Sequence, residues 1–502
     1  MSDSPPIAYA TGVVRPRRIL VIGGGPTGLV THRNLTQRGS FDRVELVERR
    51  DDVGGAWYLD QPIADPNDGT VIKVTNKPRW PSPAYPGLVG NVLPHFLSYS
   101  GHPSFPETKD PKQPFPSLWE THAYLRGFAK PFVENGSIRL NMEVVKVEEQ
   151  DEGKGWKITM KDWNDGKEGK VVEEFWDAVV VANGWYDTPL WPDTEGVDIL
   201  KEAGLAKHAK WWRGQYGFGY EGKKVLVVGN ANSGNDMAAQ LSTVVKSPVY
   251  QSVRRPNFPG FPALADEKIQ KVAPVLRYTL SPDADSQGSD SEGRITAELT
   301  DGTKITGIDL VFFGTGYKHR ADFVRILDVT NPTTEGSQNL VPITADEVQP
   351  HRVPSLHRHI LYAHNPSLAF IGSTLAYTPF TIADLGSTWL TLAWLGEIPY
   401  PQTPSDRLAY ERERLSSIEQ LRSQFETPST LYSYNVLAGH EQTYGIMLKE
   451  DVVQARPELK DVLPEWSDDR TKLREAMFKT KVQSLEYTKE LRKRQGGVIE
   501  GA

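Results

Sequence analysis

A short apolar run of β type that stops on a glycine-bearing turn and resumes as a helix occurs twice in this chain, and few architectures accommodate that repeat. The first copy reads Arg18-Ile19-Leu20-Val21-Ile22, then Gly23-Gly24-Gly25-Pro26-Thr27-Gly28, a helical pattern from Leu29 to Arg38 and a second strand from Arg43 to Val47. The second reads Lys224-Val225-Leu226-Val227-Val228, Gly229-Asn230-Ala231-Asn232-Ser233-Gly234, a helix through Met237 to Leu241 and a strand from Pro248 to Val253. Each is a β-α-β unit, so the chain is expected to be α/β, with two Rossmann-like dinucleotide-binding domains built on mostly parallel sheets.

The first turn satisfies G-x-G-x-x-G at a strand-to-helix junction. Gly23 permits the tight turn, Gly25 lets backbone approach a pyrophosphate, and Gly28 lets helix and strand pack closely. Pro26 stands where a missing N–H costs nothing, and Thr27 joins the amides that face the phosphates at the helix N-terminus. Glu48 ends the following strand, where a carboxylate accepts from ribose hydroxyls and repels a 2′-phosphate. In the second unit Ala231 replaces the middle glycine, while Gly229, Asn232, Ser233 and Gly234 keep the turn and supply polar groups at the helix start. The strand after it ends in Ser252, Val253, Arg254 and Arg255. Guanidinium groups there clamp a phosphate, so the second dinucleotide is expected to be NADP(H).

Composition removes other classes. The 502 residues include no Cys, which excludes disulfides, Cys-bound metal and relay through a thiol pair; no clustered His ligands suggest a metal site either. A net charge of −7 supplies no field for nucleic acid. No signal-peptide core and no run long enough for a membrane span is seen, so a cytoplasmic protein acting on small molecules is expected, with homo-oligomerisation left open. Between the units, Asn164-Asp165-Gly166 predicts a hairpin, Asp177 to Ala182 returns as an apolar strand, and Val144-Val145-Lys146-Val147 is a strand. Pro282 to Gly293 is expected to be an exposed loop, and Ser405-Asp406 to open a surface helix.

Glu48 followed by Val53-Gly54-Gly55-Ala56-Trp57 resembles the flavin site of the flavin-containing monooxygenases, and the resemblance extends from Ile19 to about Gly396. It implies that the first nucleotide is FAD, with Gly55 and Trp57 beside it and Val145 near its adenine. It places Asn91, in Tyr85-Pro86-Gly87-Leu88-Val89-Gly90-Asn91, beside the flavin as the leading catalytic candidate. The family fingerprint ahead of the second motif is approximated by Gly204, His208 and Trp212, which makes His208 a structural or gating residue near NADPH. Glu202, Gly90 and Gly386 depart from the family pattern, the last suggesting altered chemistry on the substrate side. The resemblance further implies an NADP domain, at about residues 191–321, inserted in an FAD domain formed by about 1–190 and 322–502. The implied reaction passes hydride from NADPH to FAD, then one atom of O2 from a flavin C4a-hydroperoxide to an amine nitrogen or a sulfur. A ketone-oxidising Baeyer–Villiger enzyme is the nearest alternative, although Arg213 follows Trp212 where that group has Pro or Asp. A catalytically idle dinucleotide-binding redox sensor is the other.

Overall fold

The computed structural model describes residues 15–60, 79–150, 154–255, 262–281, 295–328, 339–346, 348, 350–426, 428–429 and 431–494. Strand β1 (Arg18–Ile22), helix α1 (Pro26–Arg38) and strand β2 (Arg43–Val47) form the first unit. Its helix begins at Pro26, earlier than the apolar pattern indicates, because proline's fixed φ suits the first helical position. Next come α2 (Leu118–Glu134), β3 (Ile138–Arg139) and an antiparallel meander of β4 (Met142–Glu149), β5 (Trp156–Asp162) and β6 (Lys170–Trp176). The connection through Asn164-Asp165-Gly166 is a seven-residue loop, 163–169, rather than a two-residue turn. Strand β7 (Ala178–Val181), fully buried, then enters the first sheet beside β1.

The second unit follows α3 (Val197–Glu202) and β8 (Ala206–His208), and comprises β9 (Val225–Val228), α4 (Asn232–Leu241) and β10 (Val249–Ser252). With β11 (Ile269–Val272) and, beyond the antiparallel strands β12 (Val275–Leu280), β13 (Ile295–Leu299) and β14 (Lys304–Ile308), β15 (Leu310–Phe313), it forms a parallel sheet ordered β11-β10-β9-β15-β8. Pro282 to Gly293 lies outside the described residues. The chain then returns through β16 (Val324–Leu327), β17 (Leu340–Pro342), β18 (Leu356–His357), β19 (Leu361–Tyr362) and β20 (Leu368–Phe370). The first sheet thereby acquires the order β18-β19-β20-β7-β1-β2-β3.

Helices α5 (Pro379–Leu395), α6 (Pro404–Arg422), α7 (Glu441–Ala455) and α8 (Asp468–Arg494) complete the chain. The cap of α6 is Thr403, not Ser405: with Pro404 at the first helical position, the Thr403 hydroxyl accepts from the Asp406 amide at 3.2 Å. The pleat of the first sheet divides its apolar residues between two cores. Ile19, Val21, Ala178 and Val180 pack against α1, α2 and α5, while Leu20, Ile22, Val179 and Val181 face Trp156 and Trp176 of the meander. A buried polar node ties α1 to α5: the Asp384 carboxylate, fully inaccessible, receives Arg33 at 3.1 Å, Asn34 at 2.9 Å and the Ser100 amide at 2.7 Å. Every polar group of that node has a partner, which is the condition for burying a charge without unfolding the site. Among the described residues no helix is long and apolar enough to cross a membrane.

Candidate functional site

The three motif glycines of the first unit stand where they do for different reasons. Gly23 has φ +109°, and a Cβ there would lie 2.8 Å from the Ala182 carbonyl oxygen. A Cβ on Gly28 would lie 1.8 Å from the Gly23 oxygen, so helix and turn meet through bare backbone. Gly25 is ordinary extended backbone, φ −76° and ψ 178°, and its Cβ would meet only Gly55 Cα at 3.5 Å. Its freedom from crowding leaves a face open to solvent space. Glu48, only 6% exposed, is fixed from both sides: Oε2 accepts from the Gly24 amide at 2.7 Å and Oε1 from the Arg50 amide at 3.0 Å. The Gly54 amide donates to the Gly24 oxygen at 2.9 Å, drawing Gly55 and Trp57 against the turn.

These residues help wall a cavity of about 700 Å³, within the size range of small-molecule and cofactor sites. Gly23, Gly25, Pro26, Thr27, Glu48, Gly55 and Trp57 line it, as do Asn91 and, from the second turn, Asn232 and Ser233. Asn91 is half-buried, and no hydrogen-bond partner for its side chain exists among the described residues. Tyr85 donates its hydroxyl to Asp236 of α4, joining the loop that carries Asn91 to the second unit. Burial first, then the Asp236 carboxylate, pushes the Tyr85 phenol well above its usual range, so it remains the donor.

The second turn repeats the first. Gly229 has φ +112° and a Cβ on Gly234 would lie 2.4 Å from the Gly229 oxygen. Ala231 occupies the position of Gly25 with similar extended backbone, φ −86° and ψ −175°. Ser252 lies outside the cavity wall and its hydroxyl donates to the Ala273 carbonyl at 3.2 Å, so it serves the sheet. Arg254 is exposed and has no carboxylate partner among the described residues. Arg255 offers its carbonyl to Asn230 at 2.7 Å, while its Nε is buried without a partner. Desolvation and the like charges of Arg254 and Arg422 lower its pKa.

Val145, His208 and Gly386 are not among the residues that line the cavity. Val144 lines the cavity together with Met142, two residues earlier on the same face of β4, while Val145 sits at an irregularity in the pairing with β5 between Val144 and Lys146. His208 is not in the cavity wall; it lies buried between Trp191 and Tyr317, with ring centroids at 5.3 and 5.4 Å, and its Nδ1 accepts from the Lys210 amide at 3.1 Å. Burial lowers its pKa to about 4, leaving a neutral ring. Gly386 lies buried inside α5, where a Cβ would meet Ile360 at 3.7 Å and Ile371 at 3.9 Å.

The sequence reading missed Lys210, two residues beyond His208. Its buried ammonium reaches the cavity wall and donates to Asp187 at 2.8 Å and to the Tyr186 carbonyl at 3.0 Å; burial lowers its pKa against the pull of Asp187. Burial pushes the Asp187 carboxyl up, but Arg49 and Lys210 reverse this and hold it well below the carboxylate range. Missed too was α8, whose Met477 and Phe478 line the cavity together with Tyr377 and Phe380; Tyr377 and Phe478 pack edge to face at 5.5 Å. No motif marks α8, and only tertiary contact reveals it.

Comparison with known proteins bears on this geometry. A model of flavin-binding monooxygenase-like proteins matches residues 16–258, a span holding both glycine turns. The chain is 28% identical over 391 residues to the thiol-specific monooxygenase of Saccharomyces cerevisiae, covering 77% of this chain and 79% of that one. S-allyl-L-cysteine S-oxygenase from Allium sativum shares the fold with a TM-score of 0.63 at 22% identity, over 95% of this chain and all of that one (100%). Cyclohexanone monooxygenase from Rhodococcus sp., solved with NADP+, aligns with a TM-score of 0.54 at 14% identity, over 88% and 98% of the two chains.

Proposed function

We propose that this chain is a flavin-dependent monooxygenase of the flavin-containing monooxygenase type, using FAD and NADPH, and that it transfers one atom of O2 to a nucleophilic nitrogen or sulfur of a small molecule. The observation carrying the proposal is one cavity lined by residues of both glycine turns, by Asn91 and by the apolar or aromatic side chains of Tyr377, Phe380, Met477 and Phe478. Its walls fit the two cofactors. The buried Glu48 carboxylate, already anchored by two amides, keeps lone pairs for ribose hydroxyls, and the open face of Gly25 admits a pyrophosphate to the first helix N-terminus. Asn232 and Ser233 serve the second dinucleotide, with Arg254 and Arg255 for its 2′-phosphate. Bound there, the pair supplies reducing equivalents and activates O2, chemistry that belongs to the cofactors.

The protein's task is to orient and to keep water out. Asn91 presents an uncommitted amide that stabilises charge developing on oxygen, and the apolar part of the wall dries the site around it. Lys210, held by Asp187, adds a positive charge on the nicotinamide-nucleotide side. The ketone-oxidising alternative is carried by the likeness to cyclohexanone monooxygenase, although Arg213, here in a buried ion pair with Asp60 at 3.1 Å, follows Trp212 where that group has Pro or Asp. In the test, Asn91→Ala consumes NADPH at a near-normal rate but releases H2O2 in place of oxygenated product. Loss of a preorganised donor costs about 2.7–4 kcal/mol at the charge it supports, enough for leakage to dominate. A folded variant with unchanged product per NADPH refutes the role of Asn91. Amines and thioethers screened against ketones by product mass settle the substrate class.

A further inference from the structure

Helix α8 grips the loop carrying Asn91 along one face. Met477, Lys481, Ser484 and Thr488 recur at the three- and four-residue spacings that align on a helix. Met477 Sδ accepts from the Leu93 amide at 3.4 Å, Ser484 donates to the Gln113 side chain, and Gln113 donates back to Thr488 at 3.0 Å. Between these contacts Lys481, 6% exposed, donates its Nζ to the Gly90 carbonyl at 2.7 Å. The same Nζ stands 4.7 Å from the centre of the Phe115 ring.

This arrangement is expensive unless it serves something. No salt bridge meets Lys481 among the described residues, and a buried ammonium with one carbonyl and an aromatic face is worse for stability than a methionine of similar length. Burial lowers its pKa to about 8, with distant help in the other direction from Asp236. What the ammonium holds is the peptide joining Gly90 to Asn91. The Gly90 amide is already tied to the Pro116 oxygen at 2.8 Å, so Lys481 fixes the other end of that residue. A side chain at position 90 has little room, since its Cβ would lie 3.2 Å from the Pro116 oxygen. The plane of a trans peptide sets the direction in which the next residue leaves, and here that residue is Asn91.

We propose that Lys481 is a positioning residue for the oxygenation reaction, holding the Gly90–Asn91 peptide so that the Asn91 amide stands at the reactive edge of the flavin. The assignment rests on the role given to Asn91 above, and the experiment separates the two. Lys481→Met, Lys481→Arg, Asn91→Ala and the double variant Asn91→Ala/Lys481→Met are compared as holoenzymes. FAD affinity, thermal midpoint, visible circular dichroism of the bound flavin and product formed per NADPH are measured. Lys481→Met is expected to bind FAD within about twofold of the parent, to alter the flavin dichroism and to lose product relative to H2O2 by at least about tenfold. Lys481→Arg restores coupling, and the double variant is no worse than Asn91→Ala, because both changes act on one group. Full coupling in Lys481→Met, or a further loss in the double variant, overturns the assignment while leaving Asn91 in place. Intact coupling in Asn91→Ala removes both. If Lys481→Met does not fold, Lys481→Gln replaces it, and a folded, fully coupled Gln variant overturns the assignment equally.

Discussion

Adding one methyl group to the first turn at either of two glycines separates a ligand contact from a packing contact. At Gly25 the backbone is extended and the nearest atom to a new Cβ is Gly55 Cα at 3.5 Å, ordinary van der Waals distance. Gly25→Ala therefore costs the apoprotein nothing, and by restricting the unfolded chain stabilises it by about 0.4–1 kcal/mol. In the holoprotein the methyl occupies space assigned to the FAD pyrophosphate. Overpacking of that kind costs about 1–3 kcal/mol, equivalent to roughly 5- to 150-fold weaker FAD binding. At Gly28 the new Cβ would stand 1.8 Å from the Gly23 oxygen, so helix α1 must move by more than an ångström from its turn. Gly28→Ala should cost more than about 3 kcal/mol of fold stability with or without flavin. Urea unfolding of both apoproteins and FAD titration followed by flavin fluorescence provide the comparison. Parental FAD affinity in Gly25→Ala, or apoprotein destabilisation as large as that of Gly28→Ala, would refute the placement of the pyrophosphate.

Two further outcomes are expected. Replacing Arg254 and Arg255 together by Glu should raise the KM for NADPH at least about tenfold while barely changing that for NADH, since charge-assisted contacts contribute about 1.5–3 kcal/mol each; equal use of both nucleotides by the parent enzyme removes the basis for the phosphate clamp. His359 sits among Tyr410, Tyr434 and Tyr444 with both ring nitrogens unpartnered, and burial lowers its pKa from 6.5 to about 3. Below pH 6.5 the unfolded chain binds a proton that the native ring refuses, so stability falls by about 1.4 kcal/mol per pH unit from this group as pH drops toward 3. His359→Phe should flatten that slope in urea midpoints taken between pH 7 and 5, and identical slopes would show that the ring is not buried neutral.

The parts of the site that are legible in the sequence are those in which backbone does the work. Gly23, Gly28, Gly229 and Gly234 are required by close approaches within the protein, so local spacing alone exposes them. Glu48 and Asn91 are placed by position in a strand end and a resembling loop, and the cavity contains both. What local sequence does not carry is register and long-range contact. The irregular pairing at Val145 is invisible in the run Val144-Val145-Lys146-Val147. His208 invites a role in the cavity, yet the residue that reaches the wall is Lys210, whose significance depends on Asp187 and Arg49 arriving from elsewhere. Lys481 belongs to an unmarked polar helix and acquires meaning only beside Gly90.

The first sheet, mixed because β18, β19 and β20 pair antiparallel, and the parallel second sheet differ in how their strands are drawn from the chain, and this sets the order in which they can be completed. All five strands of the second lie between Ala206 and Phe313, so that sheet can assemble as soon as this stretch has left the ribosome. The first sheet waits: β20 must pair with β7 across an interval that contains the whole of the second sheet, and α1 meets α5 only once Asp384 has been made. Closing so long a loop is slow relative to local pairing. The first turn, whose glycines meet Glu48, Gly55 and Ala182, can thus form early, whereas the sheet that carries it is completed only after the strands of the second have been made.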